Sequence, residues 1–498
     1  LRSRARAWDD FFVSRALHGS SVVVATLIGV GLGGGGRARA EQKADRGAVA
    51  LADRGLDADA DASATVTSRV DASAGAPSWP WPELGWPSST RSALTRGATE
   101  VFAAARGRGG QLGEVAPGIR LQVTDVVDSG GRCGAWLQIA PRGWVCAADV
   151  TPSTGAPLPT ERTRAVGRSL IGAYADVRAG GADAFADEAA VRAAAPRDRL
   201  SPEDFVVLRA SVDIDGRAYF RTDLGLVAAE RVTRREASSF AGVDLRATPV
   251  PSWPFGWASP HDDTLPLVVR DRPAPDGAVV ETLANQAIIP ILGRHGDYVQ
   301  VGEGQWLDAR DARIAETSPP PAGLRPGEKW LDVDLDQQVL VAYEGTTPVF
   351  ATLVSTAAKR FITPTGVFRI GDKDTKRRMR NGETSQAAWD IADVPFVMGF
   401  RKMYALHGAY WHDAFGRPRS HGCVNLSPAD AQRLFAWTEP HAPAGWIYVE
   451  DRGGGTPLRI RSWKVPRPWW RNFDGKYLYP SDPDDPRSAA AVAGEASR

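Results

Sequence analysis

Apolar and polar residues alternate in short runs through most of the chain, and the longest runs lie beyond residue 327. Trp330 to Asp336, Gln338 to Tyr343 and Val349 to Ser355 carry apolar side chains at close to every second position, the period of a strand with one buried face. Glu344-Gly345 can form a tight hairpin turn between the second and third, so the three read as a meander. Thr363-Pro364-Thr365-Gly366 is a turn leading into a further strand to Ile370, and Met403 to His407 is another. Residues 371–393 are polar and charged, which fits a lid or an exposed hairpin. From Ser427 to Trp437 apolar residues recur on one helical face instead, with Ser427 as cap and Pro428 at the first helical position. The pattern predicts a mainly β chain with one short helix.

An internal repeat supports the same fold class. Trp136 to Ile139, followed by Trp144 and Asp149, matches Tyr298 to Val301, followed by Trp306 and Asp311, at identical spacings. Both copies are introduced by Ser-Trp-Pro, at Ser78 and Ser252, and a degenerate middle copy runs from Tyr219 to Glu230. Three units are expected near 97–152, 165–236 and 252–316, each closing with two short strands and an acidic residue where the chain leaves the sheet. They resemble bacterial SH3-like (SH3b) barrels. That resemblance implies modules that tether an exported enzyme to cell-wall peptides; spacers without a ligand are the alternative. Residues 41–96 read as an Ala/Asp-rich tether and a stiff Trp/Pro segment whose rings dock on a neighbouring domain. Residues 317–326 are a Pro-rich linker, 327–450 a further domain, and 451–498 a C-terminal extension with a disordered tail.

Composition narrows the setting. At 498 residues the chain exceeds the roughly 250–300 at which single cores stop growing, in keeping with several domains. A formal charge of +1 without a basic block argues against a nucleic-acid partner. Arg2, Arg4, Arg6 and Arg15 precede an apolar run from Val22 to Leu32, and Ala38-Arg39-Ala40 follows, so residues 1–40 are expected to be an export signal and the destination the periplasm or cell wall. An uncleaved anchor extended through Gly33 to Gly36 is the alternative. In an oxidising compartment Cys133 and Cys146 are a disulfide candidate, which leaves Cys423 as the odd thiol; two buried thiols that never meet are the other reading.

Reactive side chains concentrate between Tyr404 and Leu426, where His407, His412, His421 and Cys423 fall in a chain with 7 histidines and 3 cysteines. A thiol is a weak nucleophile near its free pKa, and an adjacent imidazole can hold it as thiolate. His421 and Cys423 are two apart and leave an extended segment on one face, Gly422 permits close backbone approach, and the amides of Gly422 and Cys423 can point at a developing oxyanion. His407 reaches the thiol from the preceding strand. A zinc site of His407, His412, His421 and Cys423 is the rival, without compact ligand spacing.

The run His407-Gly408 to Ser420-His421-Gly422-Cys423-Val424-Asn425, preceded by Ser355-Thr356 and Thr363 to Ile370, resembles the L,D-transpeptidase (YkuD-type) catalytic domain over about 327–450. The resemblance implies a β-sandwich-like fold. Cys423 would attack the bond after the third residue of a peptidoglycan tetrapeptide stem, and an amine of a second stem would resolve the thioester into a three-to-three cross-link. By position it makes His407 the general base, oriented by the Gly408 carbonyl. His421, Gly422 and Cys423 line the oxyanion site, while Ser420 and Asn425 brace the loop. Tyr404, Phe396, Met398, Trp411 and Arg417 are the substrate-pocket candidates. No metal or cofactor is implied, the partners are stem peptides, and carbapenems are expected inhibitors. The alternatives are a non-catalytic peptidoglycan-binding protein, and an L,D-carboxypeptidase or protein-to-wall attachment by the same site.

Overall fold

The meander beyond residue 327 forms one face of a two-sheet sandwich in the computed structural model, which describes residues 81–159, 172–202, 204–358, 361–380, 390–451 and 453–462. The expected export signal, the tether up to residue 80 and the tail beyond 462 lie outside the described residues. The sandwich strands are β1 (Lys329–Asp334), β2 (Val339–Glu344), β3 (Thr347–Leu353), β4 (Gly366–Arg369), β5 (Asp372–Arg380), β6 (Asp390–Arg401), β7 (Tyr404–Gly408), β8 (Val424–Leu426), β9 (Trp446–Glu450) and β10 (Pro457–Arg461). One sheet has the order β3-β2-β1-β10-β4, with a two-residue strand, Val243–Asp244, on the outer edge of β3. The other runs β8-β7-β6-β5-β9. Leu331, Val333, Leu340, Phe368, Met398 and Leu406 meet between them in a dry core.

Helix Pro428–Trp437 follows β8 directly, capped as the sequence predicts: Asp430 N–H donates to Ser427 Oγ at 3.2 Å. Its other end is held by a buried lysine. Lys373 Nζ donates to the carbonyls of Phe435 (2.5 Å) and Thr438 (2.9 Å), so a cation closes the negative end of the helix. The polar stretch 371–393 thus supplies most of the hairpin β5–β6, and its first lysine points inward.

Two features depart from simple alternation. Strand β10 lies beyond residue 450 yet sits between β1 and β4, parallel to β1, so the sandwich extends past the expected boundary. The aspartates of β1 face no solvent. Asp332 and Asp334 are buried because Arg459 and Arg461 on β10 pair with them, at 2.8 Å for Arg459–Asp332 and 2.7 Å for Arg461–Asp334.

The repeat appears as three copies of one connectivity. In the first, Ser92–Thr95 pairs with both Arg120–Leu121 and the closing strand Val150–Ser153, and Arg108–Val115, Thr99–Ala104, Trp144–Cys146, Gly134–Ile139 and Val123–Gly130 form a row. The third unit has the same two sets of neighbours, with Phe255–Ala258 pairing with Ile288–Pro290 and Ala312–Ala315. In the second, one long strand, Phe205–Ile214, pairs with both Ala173–Val177 and Arg217–Thr222. The matched acidic residues Asp149 and Asp311 each end a 3-10 turn before the closing strand. The sequence places the first unit's start at 97, but its opening strand begins at Ser92; the repeat shows mainly in the last strands of each unit. Cys133 and Cys146 are joined by a disulfide across this unit, with 5.2 Å between their Cα atoms. In the Trp/Pro segment Trp81 is buried and stacks on Trp86 at 5.5 Å.

All three units pack on the sandwich. Arg108–Val115 continues the second sheet by pairing with β9. Tyr174 and Val207 of the second unit are buried with residues of β6 and β7. The third unit and the linker before it hold the loop between β7 and β8: Arg313 Nε donates to Gly416 O at 2.6 Å, Asp263 pairs with Arg417, and Phe240 stacks on Phe415 at 5.9 Å.

Candidate active site

Strands β7 and β8 are parallel neighbours, with Leu406 opposite Val424, His407 opposite Asn425 and Gly408 opposite Leu426. Cys423, the free cysteine among the described residues, immediately precedes β8. This register places the His407 imidazole on one strand and the Cys423 thiol at the mouth of the next, where Sγ donates to Met403 O at 3.7 Å. His407 is buried, and its Nδ1 lies 3.2 Å from Gly408 O. A neutral ring therefore carries its hydrogen on Nδ1 and keeps Nε2 as its basic nitrogen.

The bend before β8 is tied down by hydroxyls. Ser420 Oγ donates to Cys423 O at 2.5 Å and accepts from Gly422 N–H at 3.0 Å. Thr363 Oγ1 donates to Gly422 O and accepts from Ala357 N–H, each at 3.0 Å. Gly422 has φ +137°, and a Cβ there would lie 2.6 Å from Tyr404 Cε1 and 2.9 Å from Ile362 O, so only glycine fits. Thr356 O accepts from the N–H groups of Arg419 and Ser420 at 2.9 Å, and Ser355 and Asn425 exchange two backbone bonds at 2.9 Å. The Asn425 amide lies 2.9 Å from His412 Nε2, while His412 Nδ1 accepts from Ala414 N–H at 3.2 Å. His412 is thus a buried brace. Ser355, Thr356 and Thr363 stood in the sequence signature without a role; each holds the bend.

Burial sets the electrostatics. It pushes the Cys423 thiol up to about 11 and His407 down to about 4, while the positive charge of Arg377 lowers both. The resting pair is a neutral thiol and a neutral imidazole, whereas the sequence reading has the imidazole holding a thiolate. Desolvation favours the uncharged form of each group. The Gly422 N–H, read from sequence as an oxyanion donor, is engaged by Ser420 Oγ. Gly422 shapes the bend instead.

The pocket candidates divide. Tyr404 packs beside Gly422, and the ring of Trp411 lies 5.7 Å from that of His407. Phe396 and Met398 do not line the pocket. Phe396 is buried in the sandwich core at 5.8 Å from Phe435, and Met398 is fully buried and accepts from Thr438 Oγ1. Strand β6 alternates here, with Phe396, Met398 and Phe400 turned into the sandwich core and Val397 to the opposite face. Arg417 pairs with Asp263 of the third unit, so it anchors the loop rather than facing the thiol. His421 lies against Phe361, ring centroids 4.2 Å apart. Among the described residues no group of three or more His, Cys, Asp or Glu is placed to hold a metal ion.

Residues 328–460 match the family model of YkuD, the L,D-transpeptidase catalytic domain. Solved structures with similarity include the catalytic domain of Enterococcus faecium L,D-transpeptidase acylated by ertapenem, 20% identical over 28% of this chain and 100% of that one, TM-score 0.23. An L,D-transpeptidase from Xylanimonas cellulosilytica is 25% identical over 30% of this chain and 64% of that one, TM-score 0.21. One from Mycobacterium smegmatis is 16% identical over 51% of this chain and 99% of that one, TM-score 0.23. No curated protein matches the chain. TM-scores this low carry no assignment, which rests on the family model and the site.

Proposed function

We propose that the chain is an exported L,D-transpeptidase in which Cys423 is the nucleophile and His407 the base. The observation that carries this is the fixed tautomer of His407, held by Gly408 O on the strand next to the one that Cys423 opens. His407 Nε2 takes the thiol proton as Sγ attacks the carbonyl of the third stem residue. The tetrahedral oxyanion is met by the backbone amide of Cys423. The intermediate collapses to a thioester, and the terminal D-alanine leaves with the proton from His407. The amine of a second stem then attacks the thioester, His407 takes one of its protons and returns it to sulfur, and a three-to-three cross-link is released. Water or a protein amine as acceptor would give a carboxypeptidase or wall attachment by the same site. The repeated units act as SH3-like modules that present this site to the wall. A carbapenem acylates the same thiol.

Incubation of the full chain with a tetrapeptide muropeptide, and separately with a carbapenem, tests the reading by intact-protein mass spectrometry and product analysis. Wild type should take one adduct on Cys423 and form cross-linked product, and Cys423→Ala should do neither while keeping its thermal midpoint. Transfer by Cys423→Ala would falsify the mechanism.

A further inference from the structure

The second repeated unit does more than precede the site in sequence. Tyr174 and Val207 are buried with Ala405 and Tyr410, and Phe205, Trp411 and Cys423 pack against the same cluster. Trp411 is central to it. Its ring lies 5.7 Å from His407, 5.1 Å edge-on from Tyr410, and 6.1 Å from Phe205, nearly parallel at 12°. Its indole N–H is enclosed and has no hydrogen-bond partner among the described residues, so ring packing alone fixes its plane. Tyr410 is fixed in turn, stacked on Tyr174 at 3.6 Å and donating its hydroxyl hydrogen to Ala392 O at 2.9 Å.

We propose that Phe205 is a positioning residue of the active site: it clamps Trp411 against the His407 ring, so that a side chain of the second unit keeps the catalytic base oriented and dry. The inference rests on His407 being the base of the proposed reaction. Trp411 is half-buried, and Phe205 is one of the rings packed against it, nearly parallel at 12°. The charged and titratable groups acting at this corner are Arg377 on β5, which bears on His407 and Cys423; His412, on which Arg419, His407, Arg235 and Arg417 bear; and Tyr174 and Tyr410, on which Asp393, Asp223, Arg209 and Arg235 bear. The contribution of Phe205 is apolar, and it acts by excluding solvent.

The test uses the full chain with Phe205→Ala, Phe205→Leu and Phe205→Tyr. His407 is titrated by NMR, its signal assigned through His407→Gln, and Cys423 alkylation by iodoacetamide is followed through the acid range. Phe205→Ala should move the His407 midpoint up from about 4 by at least about one pH unit. Phe205→Leu should move it partway, and Phe205→Tyr should leave it in place. An unmoved midpoint in Phe205→Ala and Phe205→Leu, with only a lower thermal midpoint, overturns the proposal. Faster alkylation at every pH with an unmoved midpoint also overturns it, and makes the unit a cover over the thiol. If Phe205→Ala does not fold, the Leu and Tyr variants decide between the same outcomes. Neither readout needs a stem peptide. A wild type that neither transfers nor takes a carbapenem would therefore remove the transpeptidase reading and leave this result standing.

Discussion

The first and second repeated units share one connectivity yet meet the sandwich differently. The first lends a strand: Gly113, Glu114 and Val115 pair with Val449, Tyr448 and Trp446 of β9, so two sheets run on as one. The joint is made by backbone groups, it covers an edge that would otherwise be open, and it lies at the opposite end of the sheet from β8. The second unit docks with side chains, through Tyr174, Phe205 and Val207, against the loop that carries Trp411. Backbone docking tolerates changes of side chain and fixes orientation, whereas aromatic docking depends on particular rings and can tune what they touch. The same fold therefore serves as a splint in one place and as a wall of the site in another.

The largest effect is expected from breaking the splint. A Cβ on Gly113 would lie 2.3 Å from Tyr448 O and 2.6 Å from Trp446 Cε3. Gly113→Val should destabilise the chain toward the upper end of roughly 1–3 kcal/mol for overpacking, read as a lower denaturation midpoint. The pH profile of Cys423 alkylation should stay as in wild type. A profile that shifts as in Phe205→Ala would mean that the two docking modes are not separable.

Acid should act on the two joints in opposite directions. His407 and His412, on the second unit's side, are held by burial at about 4 and about 3. Their folded values lie below the unfolded 6.5, so the stability they contribute is present above that value and is lost as pH falls through it toward the folded values. For His412 the loss from about pH 7 to about pH 5 is about 2 kcal/mol. Asp374 lies among Arg377, Asp372 and Glu114 of the first unit, and burial raises it to about 6. Its folded value lies above the unfolded one, so acid adds stability over the same window, by about 1 kcal/mol. Chemical denaturation at both pH values checks the signs. His412→Gln should lose less stability than wild type on acidification, and Asp374→Asn should lose more. Equal slopes in all three proteins would break the contrast.

How far this arrangement was legible in sequence depends on how local its causes are. The meander, the turn before β4 and the Ser427 cap rest on residues close together in the chain and are legible from alternation and turn chemistry, while the bend from Ser420 to Asn425 is legible from its cluster of reactive side chains. Phe396 and Met398 are pocket candidates in the sequence but face the sandwich core with Phe400, because which sheet face covers them is set by strands distant in the chain. Asp332 and Asp334 read as a solvent face, since the arginines that cover them come from beyond residue 450. Phe205 carried no signal at all. Its partner Trp411 is far along the chain, and an aromatic residue in a short strand reads as that unit's own core.

The smallest expected effect tests whether the second joint is aromatic or electrostatic. Arg209 pairs with Asp393, which also meets Lys376 at 3.2 Å, and whose backbone carbonyl accepts from Tyr174 Oη–H at 2.8 Å. The Arg209 side chain is 42% exposed, so water and salt screen the pair, and Lys376 remains to neutralise Asp393 when it is removed. Arg209→Ala should therefore cost less than about 1 kcal/mol and leave both the His407 midpoint and the alkylation rate at neutral pH unchanged. Comparing it with Phe205→Ala in low and high salt separates the two causes. If charge holds the unit in place, salt should move wild type toward Arg209→Ala in both readouts. If the rings hold it, wild type and Arg209→Ala should coincide at every salt concentration, and Phe205→Ala alone should depart.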